Sequence, residues 1–313
     1  MLYIEPNAGA SPVVQLIDEA HKSVFVAVYY LGSKRVTHAL ADAADRGVRV
    51  RVMVDGHPYE IKPWMVRKEL TALKRADVSV KLPPHRFDTR WTFMHCKYVV
   101  TNHEALIGTA NLDHAAFSSN REYLWTTRNP GMIHALQTVF LADWSREPAG
   151  AAPRVDLVIS PGATQDVLQV IDQPGPILVE TEEMGDDQPV LDALEEKGKM
   201  ARVIVPSTES RGDVRNLDAL AAHGVQVRYL PKSLAYLHAK AIYGQKYAFI
   251  GSQNFSPTSL DRNREIGVTL SSQANPTLYQ QMQEDWADAT VKPTNGGATT
   301  KVKAVWNHLR GLL

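Results

Sequence analysis

Residues 95–111 read HCKYVVTNHEALIGTAN and residues 238–254 read HAKAIYGQKYAFIGSQN. Both are His-x-Lys followed by Gly-x-x-Asn, with His to Gly 13 residues and His to Asn 16 residues in each. A third shared offset, 27 residues, leads from each His to the Glu of an Asn-Arg-Glu tripeptide, Glu122 and Glu265. A single His-x-Lys is noise, but four residue types at three common offsets define a duplicated unit.

The repeat extends outward. VVQLID (13–18) returns as VLQVID (167–172), and the apolar run ending AVYYL (27–31) is answered by one ending ETEEM (180–184). Each half then carries a helical pattern, a Gly-containing stop and a β-branched strand, VTHALADAADRGVRVRVMVD and VLDALEEKGKMARVIVP. Each closes on Asp-Trp, at Asp143–Trp144 and Asp285–Trp286. EPAGAAP (147–153) reads as the joint between the halves. Helix–strand–helix–strand, a further strand and a closing helix, repeated, predicts an α/β fold with a mixed or mostly parallel sheet. We expect lobes over residues 1–150 and 151–313, related by a pseudo-two-fold axis that brings both motifs to one seam.

Composition narrows the class. The 313 residues are 44% hydrophobic and 22% charged, as in an ordinary globular protein. Lys+Arg and Asp+Glu both number 34, so no overall field attracts a polyanion. The single cysteine, Cys96, excludes an intrachain disulfide and a multi-cysteine zinc site. No apolar run is long enough to span a membrane. The opening MLYIEPNAGASP lacks the marks of an export signal, and the compartment stays open because a leader could precede it.

On a strand, His95 and Lys97 share one face while Cys96 points to the other; His238, Lys240 and Ala239 repeat this. A small residue in the middle slot fits packing behind the strand. Two lysines and two asparagines, Asn111 and Asn254, converging on one point make a clamp for a tetrahedral phosphodiester. Two imidazoles on opposite sides of phosphorus allow in-line displacement: one attacks, the other protonates the leaving alkoxide. Glu122 and Glu265 are of the right type to hold the second ring nitrogens. No metal ligand set and no cofactor motif accompany these residues.

The doubled motif resembles the signature of the phospholipase D superfamily, His-x-Lys-x4-Asp followed by Gly-Ser-x-Asn, and the likeness covers residues 3–290. It implies two α/β/α lobes lining one cleft, and metal-independent phosphodiester cleavage through a phosphohistidine. By position it implies His95 as nucleophile and His238 as general acid, with Thr109 and Ser252 beside Lys97, Lys240, Asn111 and Asn254 on the phosphate. The chain departs from the signature at Asn102 and Gln245, where Asp is expected, and at Thr109 in place of Ser. Both Asp slots fall at turns, so we expect them to concern loop stability rather than chemistry.

Substrate cues are mixed. KLPPHRFDTRWTF (81–93) and LPKSLAYL (230–237) bring Arg86, Arg90, Trp91, Lys232, Leu234 and Tyr236 near the motif histidines. Such residues suit acyl chains with a phosphate head, and also single-stranded nucleic acid by stacking. The neutral net charge favours the phospholipid. A single-strand nuclease of the same superfamily, or a degenerate phosphate-binding protein, are the competing readings. The expected form is a monomer, with peripheral membrane contact open to the segment 301–313. Glu182 and Glu183 stand out as carboxylates beside a phosphate cleft, suited to lobe asymmetry or to a cationic head group.

Overall fold

The computed structural model describes residues 1–59 and 61–291. Glu60 and the amphipathic segment 301–313 lie outside the described residues. The first half runs β1 (Leu2–Glu5), α1 (Ser11–Asp18), β2 (Ser23–Val28), α2 (Lys34–Asp45), β3 (Arg49–Val54), α3 (Pro63–Arg75), β4 (Ser79–Lys81), β5 (Lys97–Thr101), β6 (Ala105–Gly108), α4 (His114–Ser118), β7 (Asn120–Thr127) and α5 (Pro130–Ser145). The second runs β8 (Val158–Ser160), α6 (Thr164–Ile171), β9 (Ile177–Thr181), α7 (Gln188–Lys197), β10 (Ala201–Pro206), α8 (Arg211–Ala222), β11 (Gln226–Leu230), β12 (Tyr236–Leu237), β13 (Lys240–Tyr243), β14 (Tyr247–Gly251), α9 (Pro257–Asp261), β15 (Glu265–Ser271) and α10 (Pro276–Asp288).

Each half builds one mixed sheet. The first has the order β1-β7-β6-β5-β2-β3-β4, and the second, β11-β10-β9-β13-β14-β15-β8, is the same order read backwards. In both, the three strands reached through helices are parallel and the motif hairpin is antiparallel. That is the geometry expected when a crossover helix separates the first strands and a tight turn separates the later ones. The pattern read from sequence, three strands and three helices per half, omitted the first strand of each half, β1 and β8, the third helix, α3 and α8, and several later elements, among them the long strands β7 and β15. Four-residue and three-residue strands hold too little alternation to register.

Alternation sets the layers. In β2 the residues after Ser23 are all buried, Phe25 and Ala27 toward one core, Val24, Val26 and Val28 toward another. Two outer cores lie between each sheet and its helices, while a shared inner core joins Phe25, Tyr98 and Phe140 with Leu178, Ala241 and Ile266. Burying such side chains contributes roughly 1.5–3 kcal/mol each. The halves are therefore welded along an apolar face. The motif residues sit at the edge of that weld.

Candidate active site

The backbone brings each histidine to the opposite half. His95 N–H donates to the carbonyl of Arg264 at 2.9 Å, and His238 N–H to the carbonyl of Arg121 at 3.2 Å. β12 pairs with the start of β7, Tyr236 with Asn120 and Leu237 with Arg121, and Met94 bridges Arg264. Since the Glu of Asn-Arg-Glu follows that Arg, each imidazole lands on the other half's carboxylate. His95 Nδ1 is 2.9 Å from Glu265 Oε2, and His238 Nδ1 is 2.8 Å from Glu122 Oε1. Both carboxylates are fully buried, and the imidazoles keep 14% and 11% of their surface exposed.

Behind each carboxylate stands a set of donors. Glu265 Oε1 accepts from Ser259 Oγ and from Asn263 Nδ2, the latter at 3.0 Å. Glu122 Oε2 accepts from Thr109 Oγ1 at 2.5 Å, and its Oε1 accepts from Asn120 Nδ2 at 3.4 Å. Buried carboxylates with these donors hold their geometry as the proton moves.

Thr109 and Ser252, expected on the phosphate, are buried behind the clamp instead. Thr109 Oγ1 accepts from Tyr123 N–H at 3.0 Å while donating to Glu122. Ser252 Oγ accepts from Ile266 N–H at 3.1 Å, and Ser259 from α9 takes over the contact to Glu265. The motif glycines have a steric reason at the same layer. A Cβ on Gly108 would lie 2.3 Å from the Tyr123 carbonyl oxygen, and one on Gly251 would lie 2.8 Å from the Gly267 Cα.

Lys97 and Lys240 are buried, each donating back to the carbonyl of its own motif histidine. Burial and the neighbouring Lys240 hold the Lys97 ammonium down to about 7. Burial, with Lys97 and Lys240 as neighbouring cations, lowers His95 to about 4 despite Glu265. Asn111 Oδ1 and Asn254 Oδ1 are buried with no hydrogen-bond partner. Cys96 is buried in the inner core with Ala239, its thiol pushed well up by burial.

Two neighbours of the motif differ between the halves. Val28 pairs with Lys97 and Thr181 pairs with Lys240, so the next residues, Tyr29 and Glu182, occupy equivalent positions. The Tyr29 ring lies edge-on to His95 with centroids 4.8 Å apart, and Lys97 Nζ is 5.3 Å from the Tyr29 centroid. Glu182 Oε2 lies 2.8 Å from Lys240 Nζ and 3.3 Å from His238 Nε2. Its Oε1 accepts from Tyr236 O–H at 3.1 Å. His238 and Lys240 hold the Glu182 carboxyl well below its usual range, outweighing burial. Glu182, which stands out in the sequence as an acid beside the cleft, is thus in direct contact with Lys240 and His238.

The repeated Arg and Asp-Trp also cross. Arg121 grips Asp285 with Nε and Nη2 at 2.7 and 3.0 Å and donates Nη1 to the Glu5 carbonyl at 2.7 Å. Arg264 grips Asp143 at 2.9 and 3.0 Å and donates Nη1 to the Ser160 carbonyl at 3.1 Å. These pairs fix the two Asn-Arg-Glu segments from below. Asn102 and Gln245 sit in turns away from the imidazoles: Asn102 Oδ1 accepts from Lys22 N–H at 3.2 Å, and Gln245 packs over Gly175. Trp91 and Leu234, singled out before the motifs, are 45% and 55% exposed, with Arg90 stacked on Trp91. Elsewhere, Glu19, His103 and Glu104 place ligand atoms within 4.8 Å of one another, but Arg128 already pairs with both acids.

Residues 13–144 and 177–288 match the family described as cardiolipin synthase, PLD-like domain. Cardiolipin synthase A of Pseudomonas aeruginosa is 29% identical over 134 residues, covering 42% of this chain and 26% of that protein. Cardiolipin synthase 2 of Staphylococcus epidermidis is 28% identical over 135 residues, with the same coverage of 42% and 26%. The chain thus aligns with about a quarter of the length of these relatives. In structure, phosphatidylserine synthase of Haemophilus influenzae superposes with a TM-score of 0.72 at 12% identity, covering 99% of this chain and 93% of that one. Polyphosphate kinase of Porphyromonas gingivalis gives 0.71 at 15%, covering 100% of this chain and 55% of that one. The doubled motif, the two sheets of matching order and a family match over most of its length place this chain in the cardiolipin synthase PLD-like domain family, within the phospholipase D superfamily.

Proposed function

We propose that the protein cleaves a phosphodiester through a phosphohistidine on His95, with a phospholipid as substrate and water or an alcohol as the final acceptor. The observation that carries this reading is the pair of crossed His–Glu contacts flanking two buried lysines. With Nδ1 engaged by Glu265, His95 Nε2 is the nitrogen left to attack. Burial and the nearby lysines keep that ring neutral, as a nucleophile requires. His238 has carboxylates at both nitrogens, Glu122 and Glu182, so its ring is held with Nε2 toward the leaving group, as a general acid requires.

In the first step His95 Nε2 forms the N–P bond while the P–O bond to the leaving alcohol breaks, and His238 Nε2–H passes its proton to the departing oxygen. Lys97, Lys240 and the amides of Asn111 and Asn254 hold the equatorial oxygens as charge builds. In the second step His238 removes a proton from water or an alcohol, whose oxygen displaces His95. Hydrolysis and transfer differ only in that acceptor.

The test is turnover of phosphatidylethanolamine and phosphatidylglycerol vesicles, with labelled single-stranded DNA in parallel, in EDTA, with and without added ethanol. Lipid turnover unaffected by EDTA, and a phosphatidylethanol product, support the reading. Cleavage of DNA alone moves the substrate to nucleic acid. Loss of activity in EDTA sinks the metal-independent step, and binding without turnover of either substrate marks a phosphate-binding protein.

A further inference from the structure

Glu182 holds a position where the other half has an aromatic ring. Tyr29 lets Lys97 lie over its face, whereas Glu182 neutralises Lys240 directly at 2.8 Å. The same oxygen reaches His238 Nε2 at 3.3 Å, the nitrogen that Glu122 leaves free for the leaving group. The carboxylate therefore stands beside the leaving oxygen, and its charge is already balanced before any substrate arrives.

A phosphodiester monoanion entering this seat adds a negative charge next to a side chain with only 18% of its surface exposed. Poor solvation makes that juxtaposition costly. A phosphodiester whose alcohol carries an ammonium brings its own cation. Lys240 then passes from Glu182 to a phosphoryl oxygen, Glu182 passes to the ammonium, and every charge keeps a partner. The surroundings on this side agree. Tyr236 donates to Glu182, its ring centroid is 6.4 Å from that of His238, and Glu182, Glu209 and Glu183 add to burial in pushing its phenol well up. An aromatic face among carboxylates is chemistry that holds an alkylammonium.

We propose that Glu182 is the specificity-determining residue of the cleft, selecting phosphodiesters whose leaving alcohol carries an ammonium over those whose alcohol is neutral. The proposal rests on the phosphodiesterase reading. The step stays balanced: the His95–phosphorus bond forms, the bond from phosphorus to the amino-alcohol oxygen breaks, and the His238 proton goes to that oxygen.

The experiment is calorimetric binding at pH 7 of glycerophosphoethanolamine and glycerophosphoglycerol, a zwitterion and a monoanion of similar size. Wild type is expected to prefer the zwitterion by about tenfold, the scale of one like-charge contact. In Glu182→Gln the preference disappears, through tighter monoanion binding and weaker zwitterion binding. Tyr236→Phe, which removes the hydroxyl that orients Glu182 Oε1 without changing charge, is expected to reduce the preference by letting the carboxylate swing from its seat, and serves if Glu182→Gln fails to fold. The same ratio in wild type and both variants, or a wild-type preference for the monoanion, overturns the proposal while leaving the phosphodiesterase reading standing. Failure of wild type to bind either ligand overturns both.

Discussion

His95 takes its carboxylate from Glu265, 170 residues away at 2.9 Å, rather than from Glu122, the Glu in its own half. The crossing makes each chemical role a joint product of both halves. On a phosphodiester with a p-nitrophenyl leaving group, which departs without a proton, the roles separate. Glu265→Gln is expected to slow the nitrophenolate burst by about 10²–10⁴-fold, because it misorients the attacking imidazole. Glu122→Gln is expected to leave the burst within a few-fold, yet slow turnover of an alkyl ester by a similar 10²–10⁴-fold, since only that leaving group needs the His238 proton. Stopped-flow absorbance distinguishes them, and equal burst losses in both variants would reverse or abolish the role assignment.

The pH dependence follows from His95 and Lys97. His95 is depressed to about 4 by burial and by Lys97 and Lys240, so kcat/KM should rise through pH 4 rather than 6.5. Lys97→Met removes one of those cations and moves that limb upward. Lys97 itself is depressed to about 7, so a monoanionic phosphodiester should bind more weakly as pH climbs past 7. For stability, the neutral His95 ring contributes fully above about 6.5, and that contribution is lost as pH falls through about 4. A wild-type acid limb near 6.5 would contradict the buried, cation-flanked environment.

The Arg121–Asp285 and Arg264–Asp143 pairs also link the halves, alongside the apolar inner core. Removing one partner leaves a buried charge alone, so Arg264→Ala or Asp143→Ala should each cost roughly 3–5 kcal/mol in urea unfolding. The double variant should cost less than the sum, because the orphaned charge is gone. The same holds for Arg121 and Asp285. An additive double variant would mean that the partners act independently.

Much of this was open to a reader of residues alone, and the losses have physical causes. The His, Lys and Glu offsets pick out side chains that the structure brings together, because a duplicated site must keep its internal distances. Those offsets say nothing of which half a side chain meets, so the crossed pairing of His95 with Glu265 was out of reach. Arg121 and Asp285 were both visible within repeats, yet their contact spans 164 residues. Thr109 and Ser252 were placed on the phosphate because motif spacing does not reveal which way a hydroxyl turns. Glu182 stood out in the sequence as an acid out of place, suited to lobe asymmetry or to a cationic head group, but with no partner to choose between them. Its signal was register, since it stands in the column of Tyr29.

Asn102 and Gln245, where the superfamily signature has Asp, give the remaining prediction. Asn102 ties its turn to the residue before β2 through the Lys22 N–H, and Gln245 covers Gly175, which adopts a φ of +81°. Neither side chain has a hydrogen bond to an imidazole or a motif lysine. An Asp at 102 keeps an oxygen acceptor for Lys22, so Asn102→Asp should change stability by no more than about 0.5 kcal/mol. Asn102→Ala loses the acceptor at a partly exposed site and should cost about 1 kcal/mol. Gln245→Asp shortens a side chain over a glycine and should fall in the same small range. All three should leave kcat within about twofold of wild type, because the His–Glu contacts and the lysines are untouched. Thermal melts and kcat on one lipid substrate decide the matter. A tenfold rise in kcat for Asn102→Asp with Gln245→Asp would show that the missing acids belong to the chemistry after all.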